Sequence, residues 1–136
     1  MKKRVLFVCT HNSARSQMAE GLLRHFHGDG YEAFSAGTHP SRVNPFAVEA
    51  MAELGIDLSG HYSKTVESLG DELMDVVVTV CDSAREACPY VPAKDRFFHH
   101  RFEDPSAVEG TDEEKLAAFR RIRDEIRKWL DEEFGR

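Results

Sequence analysis

Cysteine is scarce in this chain. Its 136 residues include three, Cys9, Cys81 and Cys88, and no two of them form a Cys-x-x-Cys pair. An odd count argues against a structural disulfide framework and leaves catalysis, redox chemistry or inert burial as the roles of these thiols. The seven histidines include His25/His27 and His99/His100, but none stands at a zinc-ligand spacing with the cysteines, so no metal is expected. A basic stripe is missing too: 18 lysines and arginines are scattered among 24 carboxylates for a net charge of −6, which lacks the electrostatic footprint of nucleic-acid binding. A small anion must therefore be captured by local geometry. Long apolar runs are also absent. After the basic Met1-Lys2-Lys3-Arg4, only Val5-Leu6-Phe7-Val8 precede Cys9, too few for a signal-peptide core or a membrane span. A cytoplasmic protein with no membrane partner is expected. No repeat, low-complexity tract or linker divides the chain, and 41% hydrophobic residues can build one core, so residues 1–136 are expected to form a single domain.

What is present alternates strand with helix. Residues 4–8 are a short β-branched and aromatic run suited to a buried strand, and Met18, Ala19, Leu22, Leu23 and Phe26 follow at helical spacing. Gly28-Asp29-Gly30 ends that helix, residues 31–35 read as a second strand, and residues 36–40 read as a loop. Pro45 opens a helix carrying Phe46, Val48, Ala50, Met51 and Leu54, which Gly55 stops. Val66, Leu69, Leu73 and Met74 suggest another short helix, and residues 76–80 form the clearest strand. A fourth strand is expected at residues 96–100. Thr111 and Glu114 make a capping box, after which Leu116, Phe119, Ile122, Ile126, Trp129 and Leu130 fall on one helical stripe. This order predicts an α/β domain whose central four-stranded parallel sheet has helices on both faces.

The stretch Cys9-Thr10-His11-Asn12-Ser13-Ala14-Arg15-Ser16 leaves the first strand and enters the first helix, where α/β folds bind ligands and backbone N–H groups converge on a helix's positive end. The amides of Thr10, His11, Asn12, Ser13 and Ala14 can turn inward as an anion nest, Asn12 tolerates a left-handed conformation, and Arg15 can fork onto a tetrahedral oxyanion. The same field favours a thiolate at Cys9, because a thiol titrating near about 8.5 falls markedly at a helix N-terminus beside a cation. Ser16 can donate its hydroxyl to that sulfur.

This loop, continuing as Gln17-Met18-Ala19-Glu20-Gly21, resembles the phosphate-binding loop of the low-molecular-weight protein tyrosine phosphatase fold, and more closely that of the thioredoxin-coupled arsenate reductases built on it. The similarity runs on through Ser35-Ala36-Gly37, Cys81, Cys88-Pro89, Asp104-Pro105 and Glu109-Gly110-Thr111. It implies Asp104 as the acid that protonates a leaving oxygen, a need of both chemistries. In the phosphatases an aromatic residue usually follows the Asp-Pro and walls a tyrosine pocket, whereas Ser106 and Ala107 follow here. Reducing arsenate takes two electrons, and with no flavin or nicotinamide motif in view, thiols are the available source.

The resemblance accordingly implies attack by Cys9 on arsenic, then by Cys81 on the sulfur of Cys9, then by Cys88 on that disulfide. A Cys81–Cys88 disulfide is left for reduced thioredoxin, with no bound cofactor. Arsenate is the implied substrate, phosphate and sulfate are its analogues, and a monomer is expected. A tyrosine phosphatase and a non-enzymatic oxyanion-binding or redox-sensing domain are the alternatives. Potassium-binding members of the family use an asparagine, a serine, a glutamate and an aspartate. Asn12, Ser16 and Glu20 match three of these, but Lys64 stands where the resemblance puts the aspartate, and its ammonium would take the cation's place. His11 stands where many relatives carry glycine. Residues 82–87 favour a helix ending near Pro89. Such a helix would hold Cys81 and Cys88 about 10 Å apart along its axis. A disulfide needs Cα atoms within about 7 Å, so closing it is expected to unwind the segment.

Overall fold

A computed structural model describes residues 2–39, 41–70, 73–81 and 91–135. The strands are β1 (Lys3–Cys9), β2 (Tyr31–Gly37), β3 (Met74–Thr79) and β4 (Ala93–His99), and the α-helices are α1 (Arg15–His27), α2 (Pro45–Ala52) and α3 (Asp112–Phe134). Two 3-10 turns, Glu67–Leu69 and Pro105–Ala107, complete the described elements. The strands form one sheet in the order β2-β1-β3-β4, and every neighbouring pair is parallel.

The continuous apolar run of β1 follows from its central place. With β2 and β3 on its flanks, Val5, Leu6, Phe7 and Val8 are buried on both faces of the sheet. Val5, Phe7, Val76 and Val78 meet Met18, Leu22 and Leu23 of α1, Ala47 and Met51 of α2, and Phe119, Ile122, Ile126 and Leu130 of α3. Leu6, Val8 and Val77 point the other way, under Val66 and Leu69. Among the described residues, therefore, three α-helices cover one face and the Glu67–Leu69 turn helps cover the other.

Helix ends follow local chemistry. Asn44 accepts from the Phe46 amide at the start of α2, and the Thr111–Glu114 capping box opens α3. The Arg123 guanidinium, 7% exposed, donates to the Ala50 carbonyl and to Glu53 and so ties α3 to α2.

Several expected boundaries shift. The helix read from Val66, Leu69, Leu73 and Met74 does not form: Gly70, at φ 86°, ends the 3-10 turn, Leu73 is exposed, and Met74 already belongs to β3. Asp75 interrupts the apolar run at the start of that strand, where the pairing register also shifts between Met74 and Val76. β2 runs on through Ala36 and Gly37, which pair with Val8 and Cys9, so these residues are strand rather than loop. β4 begins three residues before its expected start, at the sheet edge, where its exposed Lys94 and Asp95 break the apolar pattern. The helix expected at residues 82–87 lies outside the described residues.

Candidate active site

The C-terminal end of β1 delivers Cys9 into a loop that closes into the first turn of α1. Cys9 is 3% exposed, and its Sγ lies 3.0 Å from the Ser16 Oγ. The direction of that hydrogen bond follows from the neighbouring groups. Asn12 Oδ1 accepts from Gln17 Nε2 at 2.9 Å and from the Lys64 amide at 3.1 Å, which turns Asn12 Nδ2 toward Ser16 Oγ at 2.8 Å. Ser16 Oγ accepts there, so its own proton is available to the sulfur.

The loop's carbonyls are drawn away from its centre. The amides of His39, Ser41 and Asn44 donate to the carbonyls of Thr10, His11 and Ser13 at 2.8, 3.3 and 2.9 Å. Asn12 O accepts from Ser63 Oγ at 2.8 Å and from Gln17 Nε2 at 3.2 Å. Asn12 is fully buried with φ 50°, the left-handed turn that its residue type tolerates. With carbonyls bound outward and no side-chain cap on the N-terminus of α1, the inner face of the loop is left to amide donors, as an oxyanion cradle requires. Gly37 backs this turn closely: a Cβ there would stand 2.6 Å from Thr10 O and 2.9 Å from Asn12 N.

Arg15 is 5% exposed and donates from Nη1 to the Phe102 carbonyl at 3.2 Å, and its Nη2 lies 3.8 Å from Asp104 Oδ2. Asp104 Oδ1 accepts from the Ser106 amide at 2.9 Å and the Ser106 hydroxyl at 2.7 Å, leaving Oδ2 toward the arginine. Cys9, His11, Ser13, Ala14, Arg15, Asp104 and Ser106 line a cavity of about 30 Å³. Such a space suits a group of few atoms. His11 donates from Nδ1 to the His39 carbonyl at 2.9 Å, which anchors its ring at the loop's outer side.

Cys81 is fully buried just beyond β3, the strand flanking β1, so the parallel topology brings it to the same sheet end as Cys9. It is disulfide-bonded, while Cys9 is a free thiol. Cys88 lies outside the described residues. The described groups thus bring together Cys9, the loop residues, Arg15, Ser16 and Asp104. Sequence reasoning gave no supporting role to Gln17, Ser63, Gly37 or the backbone amides of His39, Ser41 and Asn44. Gln17 and Gly37 carried a signal only as members of the quoted Gln17-Met18-Ala19-Glu20-Gly21 and Ser35-Ala36-Gly37.

Under the loop, Glu20 is 5% exposed, accepts from Ser35 Oγ and pairs with Arg24 Nη2 at 2.6 Å. Lys64 Nζ and His61 Nδ1 each lie 3.8 Å from its carboxylate. Burial pulls both Lys64 and His61 below their ordinary pKa values, against the opposing attraction of Glu20.

These features have counterparts in known proteins. The sequence profile of the low molecular weight phosphotyrosine protein phosphatase family matches residues 4–133. An arsenate reductase from Halalkalibacterium halodurans is 49% identical over 93% of this chain and 91% of its own. A solved arsenate reductase in its phosphate-binding state superimposes with a TM-score of 0.78 at 34% identity, covering 99% of this chain and 98% of that one. A thioredoxin-dependent arsenate reductase from Corynebacterium glutamicum matches 96% of this chain and 61% of its own, at 30% identity and a TM-score of 0.66. This chain belongs to the low molecular weight phosphotyrosine protein phosphatase family, alongside the arsenate reductases within it.

Proposed function

We propose that this chain is a cytoplasmic arsenate reductase that uses three thiols in succession and takes its electrons from reduced thioredoxin, with no bound cofactor. The loop amides and Arg15 hold arsenate, and the Cys9 thiolate, steadied by Ser16, attacks arsenic. One arsenic–oxygen bond breaks, and Asp104 gives the departing hydroxide a proton so that it leaves as water. Cys81 then attacks the Cys9 sulfur. The sulfur–arsenic bonding pair stays on arsenic, which leaves as arsenite, and a Cys9–Cys81 disulfide forms. Cys88 attacks the Cys81 sulfur, freeing Cys9 as a thiolate, and reduced thioredoxin reopens the resulting Cys81–Cys88 bond.

The observation that favours reduction over hydrolysis is Cys81, buried just beyond β3 at the sheet end that carries Cys9, and disulfide-bonded. A phosphatase has no use for it. The small cavity and Ser106 after Pro105 support an inorganic oxyanion over an aryl phosphate. The test is arsenite production coupled to thioredoxin. Cys9→Ser should abolish it together with any weak aryl-phosphate hydrolysis, whereas Cys81→Ser should abolish only sustained reduction. Normal turnover by Cys81→Ser would refute the cascade.

A further inference from the structure

We infer that Lys64 and Glu20 form a built-in counter-ion pair that holds the oxyanion loop in shape, so that this chain binds its anion without a monovalent cation. The inference concerns how the loop is held and stands whether or not the bound oxyanion is reduced. A carboxylate as buried as Glu20 needs compensating charge, and the chain supplies it: Arg24 Nη2 stands 2.6 Å from Oε2 and Lys64 Nζ 3.8 Å from Oε1. The oxygens that could ligate a cation there are already engaged. Glu20 accepts from Ser35 Oγ and from Arg24, Asn12 Oδ1 from Gln17 and the Lys64 amide, and Ser16 Oγ from Asn12. A potassium ion would add positive charge beside two charges in place, so the residues present do not fit one.

Lys64 also reaches the thiol through the chain. Its amide donates to Asn12 Oδ1, and the adjacent Ser63 hydroxyl donates to Asn12 O, fixing the left-handed turn whose side chain aligns Ser16 on Cys9. On the other side, the Lys64 carbonyl accepts from the Gly37 amide at 2.8 Å, which ties the same segment to the end of β2. Pulling the ammonium away from Glu20 therefore loosens both a buried charge and the segment that shapes the nest. Lys64 acts as a positioning residue.

Inorganic phosphate binding by calorimetry, with reduced protein in chloride salts of potassium, ammonium or tetramethylammonium at equal ionic strength, tests this. The wild type and Lys64→Arg should bind equally in all three. Lys64→Ala should bind roughly tenfold more weakly in tetramethylammonium, a size usual for coupled sites, and recover in potassium or ammonium, ions small enough for the vacated space. Its rate of Cys9 alkylation should follow the same salts. A marked gain for the wild type in potassium would overturn the inference. So would undiminished binding by Lys64→Ala in tetramethylammonium, or equal recovery in all three salts. Should Lys64→Ala fail to fold, Lys64→Gln takes its place, and the wild-type comparison is decisive by itself.

Discussion

Cys9 illustrates how little of an active residue's behaviour resides in its own side chain. Its thiol sits 3% exposed, its one described polar contact is Ser16, and the orientation of that hydroxyl depends on Asn12, Gln17 and the Lys64 amide. Asp104 has a different task. It stands across the cavity with one oxygen held by Ser106 and the other 3.8 Å from Arg15, and the proposed reaction uses it as a proton donor rather than as a grip on the anion. Asp104→Asn should consequently slow the first step by roughly a hundredfold to ten-thousandfold, the usual worth of a positioned acid. Phosphate affinity should stay within about twofold, because the amides and Arg15 supply the binding. Rapid-quench kinetics and calorimetry check the two halves, and loss of phosphate binding would make Asp104 a structural residue. The grouping of Cys9, Arg15, Ser16 and Asp104 was legible in the sequence because a cysteine, a cation and a helix start lie within eight residues and the Asp-Pro is local. Ser63 and the backbone donors of His39, Ser41 and Asn44 were not, since a hydrogen bond to the main chain across the fold leaves no residue-type signature.

At the scale of elements, β2 does more than extend the sheet. Its last residue, Gly37, pairs with Cys9 and presses on the loop so closely that a methyl group would stand 2.6 Å from Thr10 O and 2.9 Å from Asn12 N. Those neighbours are backbone and cannot rotate away. Gly37→Ala should therefore displace the loop, weaken phosphate binding by at least about tenfold and lower stability by roughly 1–3 kcal/mol, the usual cost of forcing extra volume into a packed site. Calorimetry and thermal melting read both, and wild-type affinity in this variant would show that the loop tolerates the shift. Small residues before a Gly look like a turn, yet here they are small because two backbones meet. β1 and β3 were legible from their β-branched runs, as a parallel sheet buried on both faces requires. β4 was legible only in part, because an edge strand bearing Lys94 and Asp95 has no such run.

The whole molecule places every described α-helix on the Val5/Phe7 face and gathers the ends of β1 and β3 at one side, where the loop, Arg15 and the residues after β4 converge. Its stability carries a pH dependence from two histidines. Burial lowers the pKa of His61, beneath the loop, and of His100, which stacks on Trp129 with centroids 5.0 Å apart. Their folded values lie below the unfolded 6.5, so the unfolded chain takes up protons first. Stability is accordingly complete above about pH 6.5 and declines as pH falls toward the folded values. His100→Phe, which keeps an aromatic ring on Trp129, should flatten part of that decline in melting temperature between about pH 7.5 and 5.5, and an unchanged slope would contradict the assignment. Reduction by consecutive thiols is the central claim, and a single-turnover experiment tests it most directly. Fully reduced protein receives arsenate in excess without thioredoxin, and arsenite and alkylatable thiols are counted by mass spectrometry. The account predicts one arsenite per chain, with Cys81 and Cys88 protected as a disulfide, Cys9 still alkylatable, and turnover resuming only on addition of reduced thioredoxin. Arsenate left unreduced by the fully reduced protein, with all three thiols still open to alkylation, would contradict it.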